Sequence, residues 1–586
     1  MKIIITLVVV LAMLGWFARG PLIDLAADYH YFPSDDARPR LYGVDVEREL
    51  GFVTEDGVFL SADVYRPSGL EKAPTILIRI PYNRSFENDI KVSMISRYFA
   101  GRGYVTVLQS ARGRAKSGGI FYPLKHEKAD GFETLDWLKQ QDWYDGRLGM
   151  WGASAYAQTE WVLADEETDI DVFFIQIAST QFKELFHVNG AFALETALFW
   201  TIRNEEPDPT EVKGPRFEKG LNTLPISQAD DVGFVDTDYY NDWLANGLDS
   251  DYWGIIDGEN RAKNISAPVL FLGGWYDPFL ASQMRDYHAV INEAKPEIAK
   301  ETRLIIGPWA HPNAVKTPDM KEEIEYRASV VIPAIPWFDY HLGLSDTLDM
   351  PKVRLFVMGD NDWRNESEWP IARAQQTTYY LNSNGRANSA TGDGVLSLKM
   401  TSELTPMDAY NYDPNNPVPT AGGSLLGNRA GMKKQNELEK RQDVLVYSSD
   451  VLSERIEVTG EIIVELYVST DAPSTDFTAK LVDVYPDGNA YNLTSTILRR
   501  SYSQGASDVD KVHKIILRLP PTSNAFHKGH TIRLEISSSD FPHFDRNANT
   551  GREFDSAENS RIAKQKIYHS AQYPSRIVLP IIPIKN

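Results

Sequence analysis

From about Gly43 to Met350 short apolar runs alternate with stretches of helical periodicity, and this rhythm restricts the fold more than any other feature of the chain. The runs Thr75–Ile80 (TILIRI), Val105–Gln109 (VTVLQ), Val172–Ile177 (VFFIQI), Val269–Leu272 (VLFL) and Leu304–Ile306 (LII) are nearly continuous in apolar, often β-branched residues. A strand of that kind is buried on both faces. Between two of them lies Glu127–Gln141, where Phe132, Leu135, Trp137 and Leu138 share a broad apolar side at helical spacing. Strand–helix alternation predicts a mostly parallel sheet, an α/β fold.

The rhythm breaks between Phe182 and Asn264 and resumes at Ala267. The interruption holds an aromatic helical stretch (Ala191–Ile202) and an acidic, proline-containing loop (Glu205–Thr210). It is too long for an ordinary connection. The expectation is a core of residues 43–181 and 265–350 with an inserted helical cap at 182–264. After Pro351 the pattern changes to period two with frequent turns: Ile456–Val468, Phe477–Tyr485, His530–Ser537 and Arg576–Pro580, with Pro486-Asp487-Gly488 as a strong turn. Short strands of this kind predict an all-β sandwich over 351–586. Asn382–Gln442, rich in Asn, Gly, Pro and Thr, reads as a long surface connection. The sequence has no internal repeat.

The 586 residues are 42% hydrophobic and 11% aromatic, enough for large cores and incompatible with a disordered chain. There is no cysteine, which excludes disulfides, thiolate metal sites and cysteine nucleophiles. A formal charge of −21 argues against a nucleic-acid partner. Lys2 precedes an uncharged apolar run, Ile3–Ala18, that ends at Arg19. A basic start followed by an apolar core predicts export, with residues 1–20 as a signal peptide or, through residues 1–18, a membrane anchor. The body of the chain is then expected to be periplasmic, extracellular or anchored facing outward. A homo-oligomer is left open.

The tripeptide G-x-S ends at Ser154, Ser345, Ser424 and Ser507. Only Ser154 follows a glycine-containing strand approach (Arg147–Gly152) and precedes a helix-forming run (Ala155–Glu166). A strand–sharp turn–helix presents the hydroxyl at a helix N-terminus, where free N–H groups can stabilise an oxyanion. A serine hydroxyl needs a base, and the base an orienting partner. Asp277 stands just past the run Ala267–Tyr276, and His311 just past Arg303–Ala310. All three follow predicted strands, in the order Ser, Asp, His. His527 and His530 form an H-x-x-H pair, which reads as a turn rather than a metal site without a third ligand.

Several ordered motifs make the chain recognisable at family level. They are Pro81-Tyr-Asn-Arg84, Ala111-Arg-Gly-Arg114 with Ser117-Gly-Gly119, Asp145–Ser154, Gly274-Trp-Tyr-Asp277, Gly307-Pro-Trp-Ala-His311, Thr475–Gly488 and Ser538–Gly551. Together they resemble the cocaine esterase / X-Pro dipeptidyl-peptidase / α-amino acid ester hydrolase family of α/β-hydrolases, from about Gly43 to the C-terminus. The resemblance implies an α/β-hydrolase core, an inserted helical cap and a C-terminal all-β jelly-roll domain. It implies Ser154 as nucleophile, His311 as base and Asp277 as its partner. Tyr82 then serves as the oxyanion-hole tyrosine beside the backbone N–H of Ala155, with no cofactor and no metal. Two departures stand out. Tyr156 occupies a position where many hydrolases need a small residue. Asp277 is followed by Pro278-Phe279-Leu280, where α-amino ester hydrolases carry acids that hold a substrate ammonium. An uncharged stretch cannot compensate a buried ammonium. The expected activity is therefore serine-dependent hydrolysis of small-molecule esters, with amides, X-Pro dipeptidyl peptides or acylase substrates as alternatives. A further alternative is a non-catalytic protein that binds carbohydrate or a surface.

Overall fold

The computed structural model describes residues 38–583, except 83–85, 206–213, 234–236, 249, 259, 312, 403–405, 503–510, 553 and 555–558. The apolar N-terminal run and residues Asn83 and Arg84 lie outside the described residues.

The predicted strands form one ten-stranded sheet. Its members in chain order are β1 (Val44–Val53), β2 (Phe59–Pro67), β3 (Ala73–Ile80), β4 (Val105–Ser110), β5 (Tyr144–Ala153) and β6 (Val172–Gln176). A small hairpin, β7 (His187–Val188) and β8 (Ala191–Phe192), intervenes before β9 (Val269–Tyr276), β10 (Arg303–Ala310), β11 (Val353–Val357) and β12 (Asp362–Glu366). The spatial order is β1-β2-β4-β3-β5-β6-β9-β10-β11-β12. Every pairing from β4 across to β11 is parallel. The flanking pairs β1–β2, β2–β4 and β11–β12 are antiparallel.

Alternate residues of the same strands fill two separate cores. Leu77, Val107, Met150, Phe173 and Phe271 pack on one side, against Leu135, Leu138 and Trp161 of the helices Glu127–Lys139 and Ala155–Trp161. Ile78, Leu108, Trp151, Phe174 and Leu272 pack on the other, against Tyr98, Phe99, Trp337 and Phe338 of the helices Phe86–Ala100 and Ala334–His341. This is why the runs carry almost no polar residue. Each fully buried large side chain contributes about 1.5–3 kcal/mol relative to exposure.

The sheet extends past the boundary that the period-two pattern suggests at Pro351. β11 and β12 belong to it, not to the C-terminal β region. Arg354 in β11 is exposed between buried neighbours, and β12 is an open edge strand. One-sided burial at a sheet edge produces the alternation of a sandwich strand.

The inserted segment folds as expected into short helices. Phe182, Phe186, Trp200, Tyr239 and Trp243 form its aromatic core, with Phe186 and Trp243 stacked at 3.9 Å. The helix predicted at Ala191–Ile202 instead runs Leu194–Glu205, because Ala191-Phe192 forms β8. The C-terminal strands, from Gln375–Asn382 to Arg576–Ile582, make an eleven-stranded hydrogen-bonded assembly. Ile462, Val464, Leu466 and Val468 alternate inward along Ile456–Thr470. The stretch Asn382–Gln442 is more than a surface connection. Val395–Ser397 and Met407–Tyr412 join the sheet, and buried Asp408 accepts hydrogen bonds from Tyr447 (2.7 Å), Ser383 (2.7 Å) and the Ala387 N–H (2.9 Å).

The C-terminal domain holds the cap hairpin in place. Asp545 Oδ1 accepts from Phe192 N–H at 3.0 Å, while Asp545 N–H donates to Phe192 O at 2.9 Å. Arg499, half-buried, spans the buried Asp545 (3.0 Å) and Asp476 (2.8 Å). Without Asp545 the Phe192 N–H and one face of Arg499 lose their acceptor, although Asp476 still balances the arginine's charge. Asp545→Ala is therefore expected to destabilise the folded chain by about 1–3 kcal/mol, read from denaturant unfolding. A loss within experimental error would contradict this role.

Candidate active site

Ser154 sits between the end of β5 and the start of the helix Ala155–Trp161, with φ 59° and ψ −128°. A non-glycine residue held there stores about 1–3 kcal/mol of strain, which the surrounding packing must impose. Gly152 allows the turn to close. A Cβ on it would lie 2.4 Å from Glu160 Oε1 and 2.6 Å from Ala157 N. The serine is thus lifted above the sheet at a helix N-terminus.

Asp277 follows the last residue of β9, and His311 the last residue of β10. Gly274 lets these strand ends approach, since a Cβ there would stand 2.4 Å from Trp309 O. The register shifts between Gly307 and Ala310, immediately before the histidine. A local irregularity of this kind re-aims the residues beyond it. His311 Nδ1 lies 2.6 Å from Asp277 Oδ2, and His311 Nε2 lies 2.8 Å from Ser154 Oγ. The second Asp277 oxygen accepts from Phe279 N–H at 2.8 Å. The carboxylate is 1% exposed, so these donors take the place of water.

Tyr82, just past β3, brings its hydroxyl to 3.4 Å from Ser154 Oγ. Burial pushes its phenol above the ordinary value, which keeps it a proton donor. Tyr156 does not distort the turn. Its ring packs against that of Tyr82 at 5.3 Å, and the small residue required inside the turn is buried Ala157.

Other predicted features fall elsewhere. Ser345 Oγ donates within a surface turn to Thr347 O. His530 bonds Asp483 at 2.8 Å, and His527 lies 3.6 Å from Asp360. No group of three His, Asp or Glu side chains suited to a metal ion occurs among the described residues. Phe279 and Leu280 are buried, with the Phe279 ring 5.9 Å from that of His311.

Two neighbours of the site escape sequence reasoning, and a third, Arg114, enters it only as part of the Ala111–Arg114 motif. Leu426, from the irregular 382–442 stretch, forms a β-bridge with His311. Thr196 Oγ1 of the cap helix accepts from Leu426 N–H at 3.3 Å. Arg114 donates to Pro81 O (3.0 Å) and to Glu205 (2.9 Å), tying the end of that helix to the residue before Tyr82. For Leu426 the available signal was the glycine-punctuated Gly422–Gly427 inside a long loop.

With this geometry in view, comparison with known proteins is decisive. Residues 56–313 match the X-Pro dipeptidyl-peptidase (S15 family), and residues 347–578 match the X-Pro dipeptidyl-peptidase C-terminal non-catalytic domain. The cocaine esterase of Rhodococcus sp. (strain MB1 Bresler) is 34% identical over 566 residues, covering 90% of this chain and 97% of that protein. The chain belongs to this family of serine hydrolases. A putative serine esterase of Mycobacterium bovis is 24% identical, covering 90% of this chain and 94% of its own length. Among solved structures, an aminopeptidase from a marine sediment archaeon of the Thaumarchaeota superposes with TM-score 0.79 at 23% identity, covering 94% of this chain and 100% of its own. An α-amino acid ester hydrolase gives TM-score 0.76 at 21% identity, covering 94% and 98%. These likenesses share the α/β-hydrolase fold with its β-rich C-terminal domain.

Behind the turn, both carboxyl oxygens of buried Glu160 lack a hydrogen-bond partner among the described residues. Burial, with no donor or cation to offset the lost water, pushes this carboxyl well above the ordinary carboxylate range. A group raised on folding contributes stability that is complete below its unfolded pKa and is lost as pH rises toward its folded value. Glu160→Gln does not titrate. The variant's thermal midpoint is thus expected to gain on that of the parent from pH 5 to pH 9. A difference that stays flat with pH would contradict a buried neutral acid.

Proposed function

We propose that the chain hydrolyses carboxylic esters through an acyl-enzyme formed on Ser154. The observation that carries this reading is the unbroken line from Asp277 through His311 to Ser154, at 2.6 and 2.8 Å. His311 Nε2 takes the hydroxyl proton as Oγ attacks the carbonyl carbon. Asp277 holds the imidazole by Nδ1 and stabilises the imidazolium that forms. The tetrahedral oxyanion accepts hydrogen bonds from the Tyr82 hydroxyl and the Ala155 N–H. The alcohol leaves with the proton from His311, and water then attacks the acyl-enzyme by the same route.

Esters are favoured over substrates that need a free α-amino group. Phe279 and Leu280 offer no charge, and the acids nearest the site on the cap helix are already paired: Glu195 with Arg429 at 2.8 Å, Glu205 with Arg114 at 2.9 Å. A related protein is named for cocaine, an ester, which supports the same choice. We also propose that the chain is exported, on the strength of Lys2 and the apolar run to Ala18. Among the described residues no helix is long and apolar enough to cross a membrane.

Two variants test the mechanism on a simple aryl ester. Ser154→Ala is expected to abolish turnover while leaving the circular dichroism spectrum unchanged. Tyr82→Phe is expected to lower kcat by about 10²–10³-fold with little change in KM, the effect of losing one oxyanion donor. Turnover by Ser154→Ala near the parent rate would overturn the nucleophile assignment.

A further inference from the structure

The helix Leu194–Glu205 borders the site along one stripe. Thr196 Oγ1 accepts from Leu426 N–H at 3.3 Å, and Leu426 bridges His311. Phe199 lies over Gly427, 3.5 Å from where a Cβ on that glycine would stand. Arg203 is the next residue of this stripe, four positions beyond Phe199 and seven beyond Thr196. At the helix end Glu205 is held by Arg114, which also donates to Pro81 O, the residue before Tyr82. The helix therefore runs from the histidine loop, reached through Thr196, to the strand end that carries Tyr82, reached through Glu205 and Arg114, and Arg203 stands on its last turn. Burial raises the Tyr82 phenol, and the Arg203 charge is a smaller influence in the opposite direction.

Arg203 is exposed, and no carboxylate pairs with it among the described residues. Among the described residues, the acids on and beside this helix are engaged. Glu205 accepts from Arg114 (2.9 Å) and from Tyr239 (3.0 Å), and Arg429 takes both Glu195 (2.8 Å) and Glu218 (2.7 Å). A guanidinium without a carboxylate partner attracts an anion, and its planar fork matches a carboxylate. The chain as a whole, at −21, repels anions, so the attraction has to be local.

We propose that Arg203 is a specificity-determining residue that binds a carboxylate on the substrate, so that the preferred substrates are esters carrying a free acid group. This rests on the esterase reading above and narrows its substrate class. The carboxylate could stand on either side of the scissile bond, and two probe pairs separate the cases. The first compares mono(4-nitrophenyl) adipate with its methyl-capped diester, which places the charge in the acyl part. The second compares 4-carboxyphenyl butyrate with the 4-(methoxycarbonyl)phenyl ester, which places it in the leaving group. The quantity read is the ratio of kcat/KM for the acid to that for its neutral partner.

In at least one pair the ratio is expected to fall about five- to tenfold in Arg203→Gln, carried by KM, as for loss of a charge-assisted contact at a partly solvated site. Arg203→Lys is expected to restore most of it, and Arg203→Glu to lower it further. Damage to the fold acts equally on both members of a pair and leaves the ratio alone. Ratios that do not move in either pair overturn the role of Arg203 and leave the esterase reading standing. Failure of the parent protein to cleave the neutral partners overturns both.

Discussion

A carboxylate taken out of water must be surrounded by donors, and Asp277 sets this demand at the centre of the molecule. Its two oxygens are met by the His311 ring and by the Phe279 N–H. The Phe279 N–H comes from the same loop, two residues on, but the imidazole has to come from the end of a neighbouring strand. The aspartate has to stand at the end of β9 and the histidine at the end of β10, with both strands ending level with the Ser154 turn beyond β5. The parallel sheet is the device that brings them level, and its two buried faces fix the register that keeps them so. Gly152 and Gly274 sit where a single added carbon would push the turn or the strand ends apart.

The surroundings of the triad come from three parts of the chain. The core supplies the three side chains and Tyr82. The cap supplies one helix whose stripe runs from Thr196 to Arg203. The C-terminal domain supplies Leu426 and, through Asp545 and Arg499, the anchor for the hairpin that starts the cap. The motif Thr475–Gly488 and the motif Ser538–Gly551 are thus structural partners of the site, although they lie outside it. Asp476 and Asp545, one from each, grip the same arginine.

The sheet was legible because strands buried on both faces cannot hide among polar residues. The Ser154, Asp277 and His311 cluster was legible for a related reason: each residue follows such a strand, at the edge where ligands bind in open α/β sheets. The cap announced itself as an interruption, yet its hairpin did not. β7 and β8 span only two residues each and exist because Asp545, far along the chain, bonds Phe192. β11 and β12 pair with the core sheet, although the C-terminal domain match, like the period-two pattern, begins just before them. Tyr156 raised a steric question that only the direction of its side chain, toward Tyr82, could answer. The positions of Leu426 and Arg203 depend on tertiary approach, which no local pattern encodes.

The central claim is that His311 makes one serine hydroxyl, and no other, nucleophilic near neutral pH. Labelling of the folded protein with a fluorophosphonate, followed by peptide mapping, tests this directly. The account predicts a single adduct, on the peptide containing Ser154, that disappears when His311 is replaced by Ala. An adduct on another residue, or no adduct on the folded protein, would contradict it.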